Sequence, residues 1–158
     1  MMVAMTGTRP NQCTINHVGL CVSDLARARR FYEEALGFAF QRDLRPPDDL
    51  TGRLLGVTAP VGLTAVYLTM GEFVLELLHY ERDGNPPFRA RVMNEPGLTH
   101  LSLTVADLPG TLRQVRALGG AVVESTDIGV AVMVRDPDGQ LIELLTARRP
   151  TPDVEPAA

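Results

Sequence analysis

Two histidines and two glutamates occupy matching places in this sequence and could together hold a metal ion. His17 opens the segment HVGLCVSDL, and His100 opens the similar segment HLSLTVADL. Glu76 lies within GEFVLELL, and Glu143 lies within the similar GQLIELL. Imidazole suits late transition metals, and carboxylate oxygen tolerates several of them. Taken singly, each residue is explained more simply as a hydrogen-bonded or ion-paired side chain, but the repetition in register predicts a shared divalent-metal site.

The segments that carry the histidines have the pattern of a strand followed by a helix. Each is an apolar, β-branched alternation that ends at an aspartate and runs into a stretch of helical character. Asp24 and Asp107 are suitable N-caps, and Gly37 and Gly119 are suitable residues to end the two helices. The internal repeat therefore predicts the same strand and helix twice.

Three further strands follow each helix, so that the chain is expected to form two βαβββ modules. In the first module they are expected at 38–44, 64–70 and 71–78, and in the second at 121–126, 130–136 and 139–145. The predicted fold class is α+β, with the two modules forming an open β-barrel, or bowl, around the metal. The expected segments are an N-terminal tail at 1–14, a first module at 15–80 with an insertion at 45–62 that has a possible short helix, a linker at 81–97, a second module at 98–147 and a C-terminal tail at 148–158.

Strand alternation determines which way the four candidate ligands point. Side chains alternate between the two faces of a strand, so the leucines beside Glu76 and the apolar residues beside Glu143 must pack on the helix of their own module. The two carboxylates and both histidines then share the opposite face. Burying a carboxylate among apolar neighbours costs on the order of several kcal/mol unless a cation compensates its charge. His79 follows Glu76 by three residues, is expected on the other face, and is left out of the site.

Composition and charge narrow the class of partner. A net charge of -4 with scattered arginines gives no electrostatic footprint for nucleic acid or an anionic membrane. No apolar run approaches the roughly 20 residues of a membrane span, and the N-terminus lacks the pattern of a signal peptide. Cys13 and Cys21 do not suggest a disulfide framework. A cytoplasmic protein that binds a small molecule is the expectation.

At these residues the sequence resembles the vicinal-oxygen-chelate superfamily. That superfamily includes glyoxalase I, methylmalonyl-CoA epimerase, extradiol dioxygenases, and bleomycin and fosfomycin resistance proteins. The resemblance extends over 15–147, and HVGLCVSDLARARRFYEEALGF and DPDGQLIELL carry most of it. It implies that His17, Glu76, His100 and Glu143 are the metal ligands, a set similar to that of glyoxalase I. The implied cofactor is one divalent ion, which could be Ni, Co, Zn, Mn or Fe.

The resemblance implies a metal-dependent lyase or isomerase of the glyoxalase I type. Glu143 is then expected to abstract a proton beside a metal-chelated oxygen, with Glu76 serving the opposite face or relaying the proton. An Fe(II) extradiol dioxygenase, an epimerase acting on an acyl-CoA, and a non-catalytic drug-binding protein are the alternatives. The first is disfavoured by the lack of spare histidines, and the second by the lack of Asp or Glu between Thr51 and Gly71.

A homodimer is the expected assembly, because a lone βαβββ module leaves a face and a sheet edge open. The modules could pair within one chain or by exchange between two chains. All four ligands are expected from one chain.

Overall fold

Two four-stranded sheets, each with its own helix, make up the part of the chain that this computed structural model describes, namely residues 13–81, 89 and 93–147. In the first module the elements are β1 Val18–Cys21, α1 Leu25–Arg30 with a π-helical continuation Phe31–Ala35, β2 Ala39–Leu44, α2 Asp48–Leu55, β3 Leu63–Met70 and β4 Phe73–Tyr80. In the second module they are β5 His100–Val105, α3 Leu108–Ala117, β6 Ala121–Val122, a 3-10 turn Glu124–Thr126, β7 Ala131–Arg135 and β8 Leu141–Thr146.

The sheets have the same topology. The strand order is β1-β4-β3-β2 in the first sheet and β5-β8-β7-β6 in the second. The first strand of each module runs parallel to the last, and the other neighbours are antiparallel. The expected α+β fold of two βαβββ modules, open and bowl-like, is confirmed, and the predicted helix within the 45–62 insertion is α2.

The predicted starts of the two helices are confirmed. The Asp24 carboxylate accepts a hydrogen bond from the Arg27 amide at 2.9 Å, and the Asp107 carboxylate accepts one from the Gly110 amide at 3.0 Å. These are N-caps, each of which satisfies an amide that the helix itself leaves unpaired.

The prediction of a strand at 121–126 is wrong beyond its first two residues, because β6 ends at Val122. The Val123 amide still donates to the Met133 carbonyl at 2.9 Å, but the chain then forms the 3-10 turn. The Thr126 hydroxyl donates to the Val123 carbonyl at 2.7 Å and accepts from the Met133 amide at 2.9 Å. A threonine side chain that satisfies backbone groups in this way competes with a strand ladder, and here it ends β6 early.

One hydrophobic core is shared by both modules. Leu75 and Leu77 of β4 and Ile142 and Leu144 of β8 are fully buried, and all four belong to the same cluster of side chains. The modules approach closely at Gly120, where an added Cβ would lie 2.6 Å from the Phe31 ring. The helix-facing sides of the two sheets therefore pack together within one chain.

A group of polar contacts crosses this junction between the modules. The Tyr32 hydroxyl donates to Asp136 Oδ2 at 3.0 Å, while Asp136 Oδ1 accepts from the amides of Asp138 and Gln140 at 2.9 and 2.8 Å. Asp138 in turn accepts from the Ser23 amide at 3.0 Å and from the Arg27 guanidinium at 2.8 Å. Burial raises the pKa of Asp136 above its ordinary value, although the three donors oppose the shift. The turn before β8 is thus fastened to the β1–α1 turn.

Parts of the predicted organisation lie outside the described residues, namely 1–12 of the N-terminal tail, the whole C-terminal tail at 148–158, and 82–88 with 90–92 of the linker. Among the residues that are described, no helix is long and apolar enough to cross a membrane.

The junction predicts a pH-dependent effect of Tyr32→Phe. Because the folded-state pKa of Asp136 is raised, the stability that this group contributes is fully present below the ordinary carboxyl pKa and is lost as the pH rises through the folded-state pKa. Removing the Tyr32 hydroxyl takes away a donor to the ionised form. We expect a loss of about 1.5–3 kcal/mol at pH 7 and a smaller loss near pH 4, measured by urea unfolding.

The control is Asp136→Asn combined with Tyr32→Phe. In that background the effect of losing the tyrosine hydroxyl should no longer depend on pH. A Tyr32→Phe penalty that is the same at pH 4 and pH 7 in the otherwise native chain would show that the ionised carboxylate is not what the hydroxyl stabilises.

Candidate metal-binding site

His17 and Glu76 form the first of two histidine–glutamate pairs. His17 immediately precedes β1, and the parallel register sets Gly19 beside Glu76. Nε2 of His17 lies 3.0 Å from Oε2 of Glu76, whose side chain is 12% exposed. The amide oxygen of Asn16 lies 2.7 Å from His17 Nδ1 and fixes the ring. The tautomer in which Nδ1–H donates to that oxygen would leave the Nε2 lone pair facing the carboxylate, and a cation between the two atoms would satisfy both.

Tyr67 supports this first pair from the neighbouring strand. It lies opposite Glu76 in the β3–β4 register, and its ring meets the His17 ring edge to face at a centroid distance of 5.7 Å. Burial raises the pKa of Tyr67, and so do its hydrogen bond to Glu76 and the charge of that carboxylate. The Arg42 guanidinium, 4.0 Å from the centre of the Tyr67 ring, opposes the shift. Glu76 is therefore held by a phenol on one side and an imidazole on the other.

His100 and Glu143 form the second pair, which is looser. Nε2 of His100 lies 3.8 Å from Oε2 of Glu143, and the Ser102 hydroxyl donates to that same oxygen at 2.6 Å. The register of β5 and β8 sets Ser102 beside Glu143, the place that Gly19 has beside Glu76. The Glu143 side chain is 29% exposed. This carboxylate has more freedom to move than that of Glu76.

The structure brings the four predicted residues together as two pairs, one in each module. In the described part of the chain, no three His, Cys, Asp or Glu side chains come together in an arrangement that could hold a metal. The faces that carry the pairs are open, since Gly19 and Cys21 in β1 and Ser102 and Thr104 in β5 are exposed. Each pair alone offers two ligands, one nitrogen and one oxygen.

His79 takes no part in either pair. Its Nδ1 lies 3.3 Å from the Val22 carbonyl oxygen, and by strand alternation its side chain lies on the same face of β4 as Leu75 and Leu77.

Two contributors to the site, Tyr67 and Ser102, were not assigned a role from the sequence. A hairpin whose turn is centred on Gly71 and Glu72 sets Tyr67 opposite Glu76. The position of this turn in the sequence would therefore have predicted the Tyr67–Glu76 pairing. Ser102 was expected on the open face, but its contact with Glu143 depends on the register between strands that are far apart in sequence.

The burial of Glu76 predicts that this carboxylate lowers the stability of the metal-free protein. Glu76→Met replaces a charged side chain that is only 12% exposed with an apolar one of similar length. We expect the free energy of unfolding, measured by urea titration with a chelator present, to rise by about 1 kcal/mol.

The matched control is Glu143→Met in the other module. Because that side chain is 29% exposed, its replacement should change stability less. A metal-free protein that loses stability on Glu76→Met would mean that the carboxylate has a structural role.

Comparison with known proteins assigns the family. The model of the Glyoxalase/Bleomycin resistance protein/Dioxygenase superfamily matches residues 14–144. No curated protein sequence matches the chain.

Solved structures show the same fold. The trypanothione-dependent glyoxalase I of Leishmania major is 26% identical, with a TM-score of 0.63, and the match covers 85% of this chain and 87% of that one. A glyoxalase family protein from Bacillus cereus is 20% identical, with a TM-score of 0.69 and coverage of 90% and 98%. A variant of the fosfomycin resistance protein FosX from Listeria monocytogenes, in complex with Mn(II) and a dihydroxypropylphosphonic acid, is 13% identical, with a TM-score of 0.58 and coverage of 85% and 93%. With its two βαβββ modules and the family match over most of its length, this chain belongs to the Glyoxalase/Bleomycin resistance protein/Dioxygenase superfamily.

Proposed function

We propose that this protein is a divalent-metal-dependent enzyme of the glyoxalase I type, in which His17, Glu76, His100 and Glu143 bind one metal ion. The observation that carries the proposal is the repetition of one histidine–glutamate pair at the same register in both modules. In each module the histidine lies two residues before the strand position that pairs with the glutamate. A structural ion pair has no reason to recur in this way on two open faces.

The donor set fits such a metal. His17 Nε2 and Glu76 Oε2 lie 3.0 Å apart, and His100 Nε2 and Glu143 Oε2 lie 3.8 Å apart, so each pair could contribute one nitrogen and one oxygen to a shared ion. Two nitrogens and two carboxylate oxygens suit Ni, Co, Zn, Mn or Fe and leave positions for two substrate oxygens. The side chains next to the ligands also suit the role, because Asn16, Tyr67 and Ser102 orient an imidazole or a carboxylate.

The proposal includes a homodimer whose sites are shared between chains. Within one chain the modules pack through their helix-facing sides, and among the described residues the two histidine–glutamate pairs do not meet in one four-ligand cluster. A second copy could set its second module against the first module of this chain and so complete a four-ligand site twice, as a twofold dimer allows. This arrangement replaces the expectation that all four ligands come from one chain.

The two glutamates are suited to different roles. When bound, the metal supplies Lewis-acid stabilisation of the negative charge that develops on two chelated substrate oxygens. Glu143 is the better base, because its carboxylate is part exposed, lies 3.8 Å from its histidine, and is held by the single hydroxyl of Ser102. It would take the proton from the carbon beside the chelated carbonyl. Glu76 is more buried and held by both His17 and Tyr67, which suits a permanent ligand.

The relatives support metal chemistry on a small molecule and leave the reaction subclass to experiment. One solved relative is a glyoxalase I, and another holds Mn(II). An extradiol dioxygenase is less well supported. The one further histidine, His79, contacts the Val22 carbonyl and takes no part in either pair, so it is not placed to act beside the metal ligands. The cytoplasmic location stays a prediction.

Mixing two inactive variants tests the shared site. His17→Ala and His100→Ala each damage every site of their own homodimer. A mixed dimer of the two has one site with both lesions and one intact site, so random exchange should restore tight metal binding to about a quarter of the sites. The measurement is bound metal per chain after gel filtration, by elemental analysis, before and after exchange.

The control is a mixture of His17→Ala with Glu76→Ala. Both substitutions lie in the first module, so every site of every mixed dimer still contains one damaged first module and cannot recover. Restoration in the first mixture alone supports the proposal. If neither mixture regains metal while the native protein holds it, the site lies within one chain, and if the native protein holds no metal under these conditions, the proposed function is wrong.

The assignment of the base is tested by Glu143→Gln against Glu76→Gln. We expect Glu143→Gln to lower the rate of α-proton exchange in a bound hemithioacetal at least about 100-fold, with little change in affinity, since an amide can coordinate weakly but cannot accept the proton. Glu76→Gln should lower metal affinity more than the exchange rate of the loaded protein. Proton exchange followed by NMR in deuterated solvent measures the rate for each metal-loaded variant, and bound metal per chain measures the metal affinity. Equal rate losses in the two variants would contradict the division of roles.

A further inference from the structure

The insertion between β2 and β3 builds a wall beside the first histidine–glutamate pair. A cavity of about 250 Å³ opens between this insertion and the open face of the first sheet. His17, Tyr67 and Glu76 lie at one part of its lining. The rest of the lining is mainly apolar, and its aliphatic side chains are Leu44, Leu54, Leu55, Leu63, Ala65 and Leu78.

The wall is held in place from both ends. The Asp48 carboxylate, at the start of α2, accepts from the Gly62 amide at 3.0 Å, which closes the insertion on itself. Gly62 in turn accepts at its carbonyl from the Glu81 amide at 3.1 Å. Within α2, Gly52 packs against the loop that follows, where an added Cβ would lie 2.8 Å from the Val57 carbonyl oxygen. The cavity is therefore formed before any ligand arrives.

Its polar and apolar parts are separated. Thr51 also lines the cavity, but its hydroxyl donates to the Pro47 carbonyl at 2.7 Å and is already satisfied. None of the described arginines is part of the lining. Two arginines are sequence neighbours of lining residues: Arg53 on α2 lines a different cavity, beside Asp49 and Val57, and Arg45 lies 3.9 Å from Glu81. Arg42 stacks on Tyr67. An anionic group would therefore find no arginine in the described lining of this cavity.

We propose that the cavity between α2 and the first sheet selects substrates that carry an uncharged hydrocarbon group, the size of an aromatic ring or a short alkyl chain, beside the chelating oxygens. This inference rests on the proposed function and names its class of substrate. A cavity of 150 Å³ holds a benzene ring, and this one, at about 250 Å³, has room for a ring with a small substituent. Removing such a group from water stabilises the complex, whereas a carboxylate in the same place would lose its hydration without gaining a partner.

Three hydroxamates test the inference, because a hydroxamate presents two chelating oxygens to a metal. The probes are acetohydroxamate, 4-propylbenzohydroxamate and 4-carboxybenzohydroxamate, of which the last two differ only in the para substituent of the ring, an uncharged propyl group or a carboxylate. Calorimetry on the metal-loaded protein should show 4-propylbenzohydroxamate binding at least about tenfold more tightly than 4-carboxybenzohydroxamate. In the metal-free protein, 4-propylbenzohydroxamate should shift the methyl NMR signals of the cavity leucines, and the carboxylate probe should not.

Two leucines of the same helix give a matched pair of variants. Leu54 lines the cavity and Leu50 does not, and both are exposed, at 84% and 65%, so neither substitution should impair folding. Leu54→Ser should weaken 4-propylbenzohydroxamate three- to tenfold more than it weakens acetohydroxamate. Leu50→Ser should affect both probes equally or not at all.

The outcomes separate this inference from the proposed function. If acetohydroxamate fails to bind the loaded protein, the metal site is wrong, while methyl shifts in the metal-free protein still decide for or against the apolar cavity. Equal or tighter binding of the carboxylate probe overturns the inference, as do equal effects of Leu54→Ser and Leu50→Ser. A Leu54→Ser protein that loses its dimer by gel filtration and keeps its probe affinity would show that α2 is a contact between chains, which also overturns it.

Discussion

A carboxylate between two fully buried leucines is the constraint on which the first half of the site depends. Leu75 and Leu77 have no exposed surface and fix β4 in the core, and because side chains alternate along a strand, Glu76 has to point to the other side. Its side chain is only 12% exposed there. A charge in that position needs partners, and the chain supplies His17, just before the neighbouring parallel strand, and Tyr67 from the antiparallel one.

The second half repeats the constraint with different partners. Ile142 and Leu144 fix β8 as the leucines fix β4, and Glu143 points to the open face. Where the first module has Gly19 the second has Ser102, and where the first has Tyr67 the second has Met133. The hydroxyl that holds the carboxylate thus comes from a different strand in each module. This substitution leaves Glu76 enclosed and Glu143 part exposed, and it is the physical basis for giving the two glutamates different roles.

Much of this follows from local patterns in the sequence. Alternation predicts seven of the eight strands closely, Asp24 and Asp107 identify the helix starts, and the internal repeat indicates that the modules share a topology. The expected sixth strand is wrong beyond Val122, because the Thr126 side chain bonds to backbone groups, and such competition is not visible in hydrophobic periodicity. The face on which each candidate ligand lies also follows from alternation alone. The packing of one module on the other does not, because it depends on contacts between residues such as Tyr32 and Asp136 that are 104 positions apart.

That junction also determines how the two pairs are spaced within a chain. Glu143 lies in β8, and Asp138 in the turn before that strand accepts hydrogen bonds from Ser23 and Arg27, which follow β1. His17 lies at the other end of β1. This fastening holds the two strands in fixed relation, and none of its residues belongs to either histidine–glutamate pair. The residues that join the modules are therefore distinct from those that form the pairs, and the site can change its ligands or its wall without loss of the contacts that hold the chain together.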